Sequence, residues 1–351
     1  MNRQKLSRLD GERRAQGTLL HLLCAVSVWR TVMTRVLPLC GAAAWWTALL
    51  CLLPGFLVAA LFRFTMYLTG AATLPEAMRA SLGRAGALLL SVTLAVLLAV
   101  DAASSITELI TLFTQGVGTR GTPLTLAALT GAVLLLSLHR EGLARGVHFL
   151  RFAMLAAFVL LAGFLLGDAK PDHLFPLYGD GRASVLAAAE AGLSLAWPVV
   201  LLLTYEPPRG RRRLTGGVLP VFLALGAVLL VILSIPHEQL IRQDGLAALL
   251  LLPTRYAPNA LRVIALSLLM LTFFLAIGAA VQVGTTQLFA SAQKAPGWLP
   301  YAVLTGLLLT QAGESSTLWQ CLGGIEPWLL APLALLALLA WPIALNRRKC
   351  P

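Results

Sequence analysis

The feature that most constrains this chain is repetition of one kind of segment: about ten apolar stretches of spanning length follow one another, separated by short polar connections. About 20 apolar residues rising roughly 1.5 Å each cover the hydrocarbon core of a bilayer. Inside lipid a backbone must satisfy its own hydrogen bonds, so each stretch is expected to be a helix. The expected spans are Thr18 to Pro38, Ala43 to Arg63, Gly86 to Phe113, Pro123 to Leu138, Phe149 to Gly167, Ala183 to Thr204, Gly216 to Ile235, Ala260 to Phe289, Trp298 to Ala312 and Glu326 to Leu345. Hydrophobic residues make up 58% of the chain and charged residues only 12%, which excludes an ordinary soluble domain and leaves an all-α integral membrane protein. The first dozen residues are polar and the first apolar run leads into further spans, so no cleavable signal peptide is expected.

A net charge of +12 raises the question of a nucleic-acid partner, and the placement of the charges answers it. One side of the expected membrane collects the amino-terminal arm, Arg63, Arg79, Arg84, Arg140, Arg145, Arg151, the Arg209 to Arg213 cluster, Lys294 and the tail Arg347, Arg348, Lys349. The other side holds only Arg120, Lys170, Arg182, Arg242 and Arg255. This imbalance is a positive-inside pattern that puts both termini in the cytoplasm, with anionic lipid headgroups as the partner of the basic residues and no nucleic acid. Cys24, Cys40, Cys51, Cys321 and Cys350 show no metal-like spacing and read as small buried hydrophobes; His139 and His148 make a poor metal site. No P-loop, GxSxG or HExxH is present, so neither enzyme activity nor a cofactor is expected.

Polar residues inside the spans carry the functional signal. The sixth span holds Glu190, Gly192, Ser194, Leu195, Trp197 and Pro198, a combination that suits a helix interrupted at membrane depth and lining a polar cavity. The first span holds Ser27, Arg30 and Arg35. Arg35 lies near the outer end and is able to snorkel, whereas Arg30 is deeper and needs a carboxylate, a carbonyl or water. In the third span Asp101, Ser104, Ser105 and Glu108 fall at i, i+3, i+4 and i+7, hence on one face, which serves either a hydrated interior or a helix seam tied by hydroxyls. Thr272 and Phe273 punctuate the long eighth span. Arg30 and Glu190 are expected to approach within ion-pair reach, or each to face water. Ahead of the third span, LTGAATLPEAMRASLGRAG suits a short helix along the membrane. The segment PHEQLIRQDGLAALLLLPTRYAPN is too short to span and suits an interfacial helix or a partly re-entrant lid.

Several weak motifs in a fixed order carry a resemblance: LPEAMRASLGRAGALLL, a polar third span, the turn Gly121, Thr122, Pro123, then HREGLARGVHFLRF, then HLFPLYGDG leading into the interrupted sixth span. Over roughly residues 15 to 345 the chain resembles the B subunits of bacterial spore-germinant receptors, the endospore germination permease family. That family belongs with the amino acid, polyamine and organocation transporter superfamily. The resemblance implies about ten helices in two inverted five-helix repeats, with discontinuous first and sixth spans and a ligand site between them near the midplane. It divides the chain into a cytoplasmic arm (1–17), a first repeat (18–170), a second repeat (171–345) and a basic tail (346–351). It also implies a nutrient sensor of the spore inner membrane that binds an amino acid or similar small molecule and acts with A-type and C-type receptor subunits. Relatives carry a small-residue break in the first span; here that region reads VSVWRTV, and the Arg30 guanidinium is the group that would clamp a carboxylate. The ligand-binding candidates are Ser27, Arg30, Asp101, Ser104, Ser105, Glu108, Glu190, Gly192, Ser194, Leu195, Trp197, Thr272 and Phe273. Two other functions remain open: a proton-coupled transporter of amino acids using Asp101, Glu108 or Glu190, and a non-binding structural subunit.

Overall fold

The computed structural model describes residues 3–116, 169–205, 214–236, 259–288 and 326–349, with a few single positions between them. The expected fourth, fifth and ninth spans and the PHEQ segment lie outside these residues. Every regular element among the described residues is helical: α1 (Arg3–Thr31), α2 (Leu37–Cys40), α3 (Ala44–Thr69), α4 (Leu74–Gly116), α5 (Arg182–Gly192), α6 (Ala196–Tyr205), α7 (Leu214–Ser234), α8 (Asn259–Leu288) and α9 (Leu330–Lys349). Four helical runs are long and apolar enough to cross a membrane: Gly17–Thr69, Leu74–Ile106, Arg182–Thr204 and Glu326–Asn346. Two shorter apolar runs, Val221–Ser234 and Met270–Gly284, accompany them.

The first of these runs is too long for a single crossing, since 53 residues at about 1.5 Å each far exceed a bilayer. It is divided by a π turn at Val32–Val36 and a 3-10 turn at Gly41–Ala43, the second entered through Gly41 at φ 51°, ψ −121°. A side chain at that φ would clash with its own backbone, so only glycine turns the chain there cheaply. α3 then runs back against the π turn. Its exposed residues Leu50, Leu53, Leu57, Ala60, Phe64 and Tyr67 recur every three or four positions, with Leu49 beside them, while Ala48, Cys51, Leu52, Gly55, Val58, Ala59 and Phe62 fill the opposite, buried face. Both faces are apolar; one meets protein, and the other is the lipid-facing stripe of a membrane helix.

The short helix expected before the third span is present and separate from it. Glu76 Oε2 accepts the Ala72 and Thr73 backbone N–H groups at 3.2 Å each, capping the start of α4. Gly83 then adopts φ 77°, ψ −166° and breaks the helix, so that the third span proper begins just beyond it. α4 packs along α8 and α9, α3 packs against α5, α6 and α9, and α1 packs against α6, α7 and α8. Hydroxyls inside the helices mostly bond to the carbonyl four residues back, as in Thr47 to Ala43, Thr65 to Leu61, Thr93 to Leu89 and Thr204 to Val200. Such hydroxyls are satisfied within their own helix and leave interhelical polar contact to a few charged groups.

Candidate functional site

Four charged side chains from three parts of the sequence meet at the two re-wound helices. Ser27 and Arg30 lie one turn apart on α1 and face the third span. Ser27 Oγ donates to Asp101 Oδ2 at 2.8 Å, and Arg30 Nη2 donates to Asp101 Oδ1 at 2.8 Å. Arg30 Nη2 also lies 3.6 Å from Glu326 Oε1, and Arg35 Nη2 lies 2.6 Å from Glu326 Oε2. Trp197 Nε1 donates to Glu326 Oε1 at 3.3 Å, and Arg35 Nη2 approaches Ser104 Oγ at 3.5 Å. Arg30, Asp101 and Glu326 are each 1% exposed and Trp197 is 2% exposed, so the charges are out of solvent and compensate one another. Two guanidiniums and two carboxylates cancel, which is what makes such a cluster tolerable in a low-dielectric interior.

The π turn explains how Arg35 joins. In a regular helix, Arg30 and Arg35 would point about 140° apart, at 100° per residue. Between Val32 and Val36 the ladder widens, with the Leu37 N–H reaching the Val32 carbonyl five residues back. This stacks residues five apart and brings both guanidiniums to Glu326. Thr34 Oγ donates to the Arg30 carbonyl at 3.0 Å within the same turn. Arg35 therefore turns inward, with its side chain 18% exposed, instead of snorkelling to the interface.

The sixth span narrows where the first widens. The Leu193 N–H bonds to the Glu190 carbonyl and the Ala196 N–H to the Leu193 carbonyl, a 3-10 turn across Leu193–Leu195 that keeps the chain right-handed. The interruption is a change of pitch and not an unwound loop. It packs against the Glu326–Leu329 turn, α1 and α3. Gly192 is filled around rather than open: a Cβ there would come within 2.8 Å of Cys51 Sγ and 3.2 Å of Val36 Cγ2. Gly55 on α3 plays the matching part, since a Cβ would run into the Ala196 backbone. Ser194 Oγ donates to the Ala191 carbonyl at 3.1 Å, and Leu195 is fully buried. The Cys24 thiol reaches the Pro198 carbonyl at 3.4 Å, tying α1 to α6.

Glu190 does not join the cluster, and no ion pair with Arg30 forms. On α5 the inward positions are Ala188 and Gly192, while Arg182, Leu186 and Glu190 fall on the exposed face. A seven-residue step to Trp197 would restore the same face in a regular helix, but the 3-10 turn adds about 60° of rotation. Arg30 pairs instead with Asp101. Of the third-span face, Asp101 and Ser105 are buried and Ser104 is half-buried beside Arg35, whereas the Glu108 side chain lies outside the described residues. Thr272 and Phe273 are buried on α8, with Phe273 set against Trp29 at 5.8 Å between ring centroids, one position before Arg30. The residue that sequence reasoning missed is Glu326. Its only signal was an acid followed by proline at the start of a span, which reads as an interface cap.

A family model described as spore germination protein, the spore permease family, matches residues 17–317. The chain belongs to that family. It is therefore a germination-related, multi-pass membrane protein of permease type, not a member of a known enzyme family. No individual curated protein matches it. The matched range of the spore permease family takes in Arg30, Arg35, Asp101 and the 3-10 turn, while Glu326 and α9 lie beyond it.

Proposed function

We propose that this spore permease family member is the small-molecule-binding subunit of a nutrient germinant receptor, with a zwitterionic amino acid as ligand. The observation that supports this most is the balanced group of Arg30, Arg35, Asp101 and Glu326, gathered where two membrane helices change pitch. A ligand with one carboxylate and one ammonium is able to replace the Arg30 to Asp101 pair without adding net charge to the interior. Its carboxylate takes the guanidinium and its ammonium takes Asp101. A ligand with only one of these groups leaves a buried charge unpaired, at a cost of several kcal/mol. In this reading Ser27, Ser104, Ser105, Ser194, Trp197, Thr272 and Phe273 surround the ligand, with the pitch change at Gly192 to Leu195 supplying the movable wall. Ten helices in two inverted repeats would place this site between the first and sixth spans. Binding shifts the balance between two packings, and A-type and C-type partner subunits in the spore inner membrane receive the change, with both termini in the cytoplasm.

The test is equilibrium binding of amino acids to the purified chain and to Arg30→Gln and Asp101→Asn. Saturable binding of an amino acid, absent for its amine and amide analogues and lost in Arg30→Gln, is expected. A folded protein that binds no amino acid sinks this reading. A structural role is favoured by one observation, that both oxygens of Asp101 are already engaged. It predicts that replacing the pair together, Arg30→Met with Asp101→Leu, leaves spore germination intact. Proton-coupled uptake of an amino acid into vesicles, abolished by Asp101→Asn, would identify a transporter instead.

A further inference from the structure

We propose that the loop from Ala169 to Gly181 is a membrane foot, seating Phe175, Leu177 and Tyr178 in the lipid headgroup layer on the face where α2 and α7 end and α3 and α5 begin. The loop is pinned to three of those helix ends. At the end of α7 the Lys170 N–H donates to the Leu233 carbonyl at 2.8 Å, and His173 Nδ1 lies 2.7 Å from the same oxygen. At the start of α3, Trp46 Nε1 donates to the Leu177 carbonyl at 2.8 Å. At the end of α2, Gly179, with φ 55°, lies so close to the Cys40 carbonyl that a Cβ would collide with it. Helix ends that share a face of a membrane bundle sit at its boundary, so this pinning fixes the height of the loop there.

A loop held so firmly nonetheless leaves its apolar side chains uncovered: Phe175 is 62% exposed, Leu177 45% and Tyr178 66%. Large apolar groups fixed in the open at a helix boundary call for a covering phase. The lipid-facing stripe of α3 identifies it. That stripe runs up through Leu57, Leu53, Leu50 and Leu49 to Trp46, and Trp46 meets Tyr178 edge to face at 6.3 Å between centroids. The loop thus continues, past the end of the helix, a surface already turned to lipid. Tyr and Trp join an apolar ring to a polar tip, which suits the headgroup layer. The exposed charges flanking the apolar tip, Lys170, Asp172, Asp180 and Arg182, suit the water and headgroups just above it.

The experiment uses the full chain alone in nanodiscs of phosphatidylcholine and phosphatidylglycerol that include a diazirine-bearing phosphatidylcholine. Hydroxyl-radical labelling of Phe175 and Tyr178 is read by mass spectrometry against the free peptide of residues 171–182, and photolysis tests for lipid adducts on residues 175–178. Labelling slowed about tenfold together with lipid adducts on these residues is the expected result for rings held in the headgroup layer. Labelling within about twofold of the free peptide means the rings stand in water and overturns the proposal, leaving the patch for a protein partner. Protection without lipid adducts overturns it equally, since the cover would then come from the chain itself.

Discussion

The first and sixth spans are both re-wound, in opposite senses, and the difference separates two uses of irregular helix. The π turn at Val32–Val36 widens the helix and lines up two guanidiniums on one side. The 3-10 turn at Leu193–Leu195 narrows the helix and turns its carboxylate away, leaving an indole and close backbone packing as its contribution. Widening gathers charge; narrowing supplies fit. The third span and the Glu326 turn then provide the acids that the first span requires.

Asp101 is the residue on which the charged first span depends most. Asp101→Ala strands Arg30 in the interior, and a loss of about 3–5 kcal/mol is expected in denaturant titration of the reconstituted protein. Stability within 1 kcal/mol of the parent would mean that water already solvates the pair, as an order-of-magnitude threshold. On the narrowed side, Gly55→Val pushes a side chain into the Ala196 backbone and should cost about 1–3 kcal/mol, seen as a lowered Tm. Glu326→Gln keeps the shape and removes the charge facing Arg35, with an expected loss of about 1–3 kcal/mol. A double-mutant cycle with Arg35→Met should return most of that loss as coupling; additive effects would dissolve the link between the first span and the tenth. Smallest of all, Glu190→Gln should shift stability by no more than about 0.5 kcal/mol, because its side chain is on the exposed face of α5. A large effect there would return Glu190 to the interior and undo the contrast between the two turns.

Much of this was legible from composition and periodicity. The sixth, seventh, eighth and tenth expected spans match the structure closely at both ends, whereas α1 starts at Arg3, well before Thr18, and α4 starts at Leu74 and is broken at Gly83 ahead of the expected start at Gly86. Arg30 and Asp101 were recognisable singly, because a charge at membrane depth demands a partner. Their pairing was not, since 71 residues separate them and nothing local encodes the contact. Arg35 was read from its depth near the outer end and Glu190 from its place in an interrupted span; neither reading carried the change of pitch that turns Arg35 inward beyond Val32 and leaves Glu190 on the exposed face of α5. Glu326 escaped because an acid at the mouth of a span has an ordinary explanation as a helix start.

The cancellation of charge among Arg30, Arg35, Asp101 and Glu326 has an electrical consequence. A unit of two positive and two negative groups that shifts as one body moves no net charge, so the transmembrane voltage does no work on it. Any rearrangement that draws Arg35 away from Glu326 along the bilayer normal would carry gating charge, worth about 2.3 kcal/mol per elementary charge for each 100 mV traversed. The same residues are therefore silent to the membrane potential while they stay together and responsive to it as soon as they part.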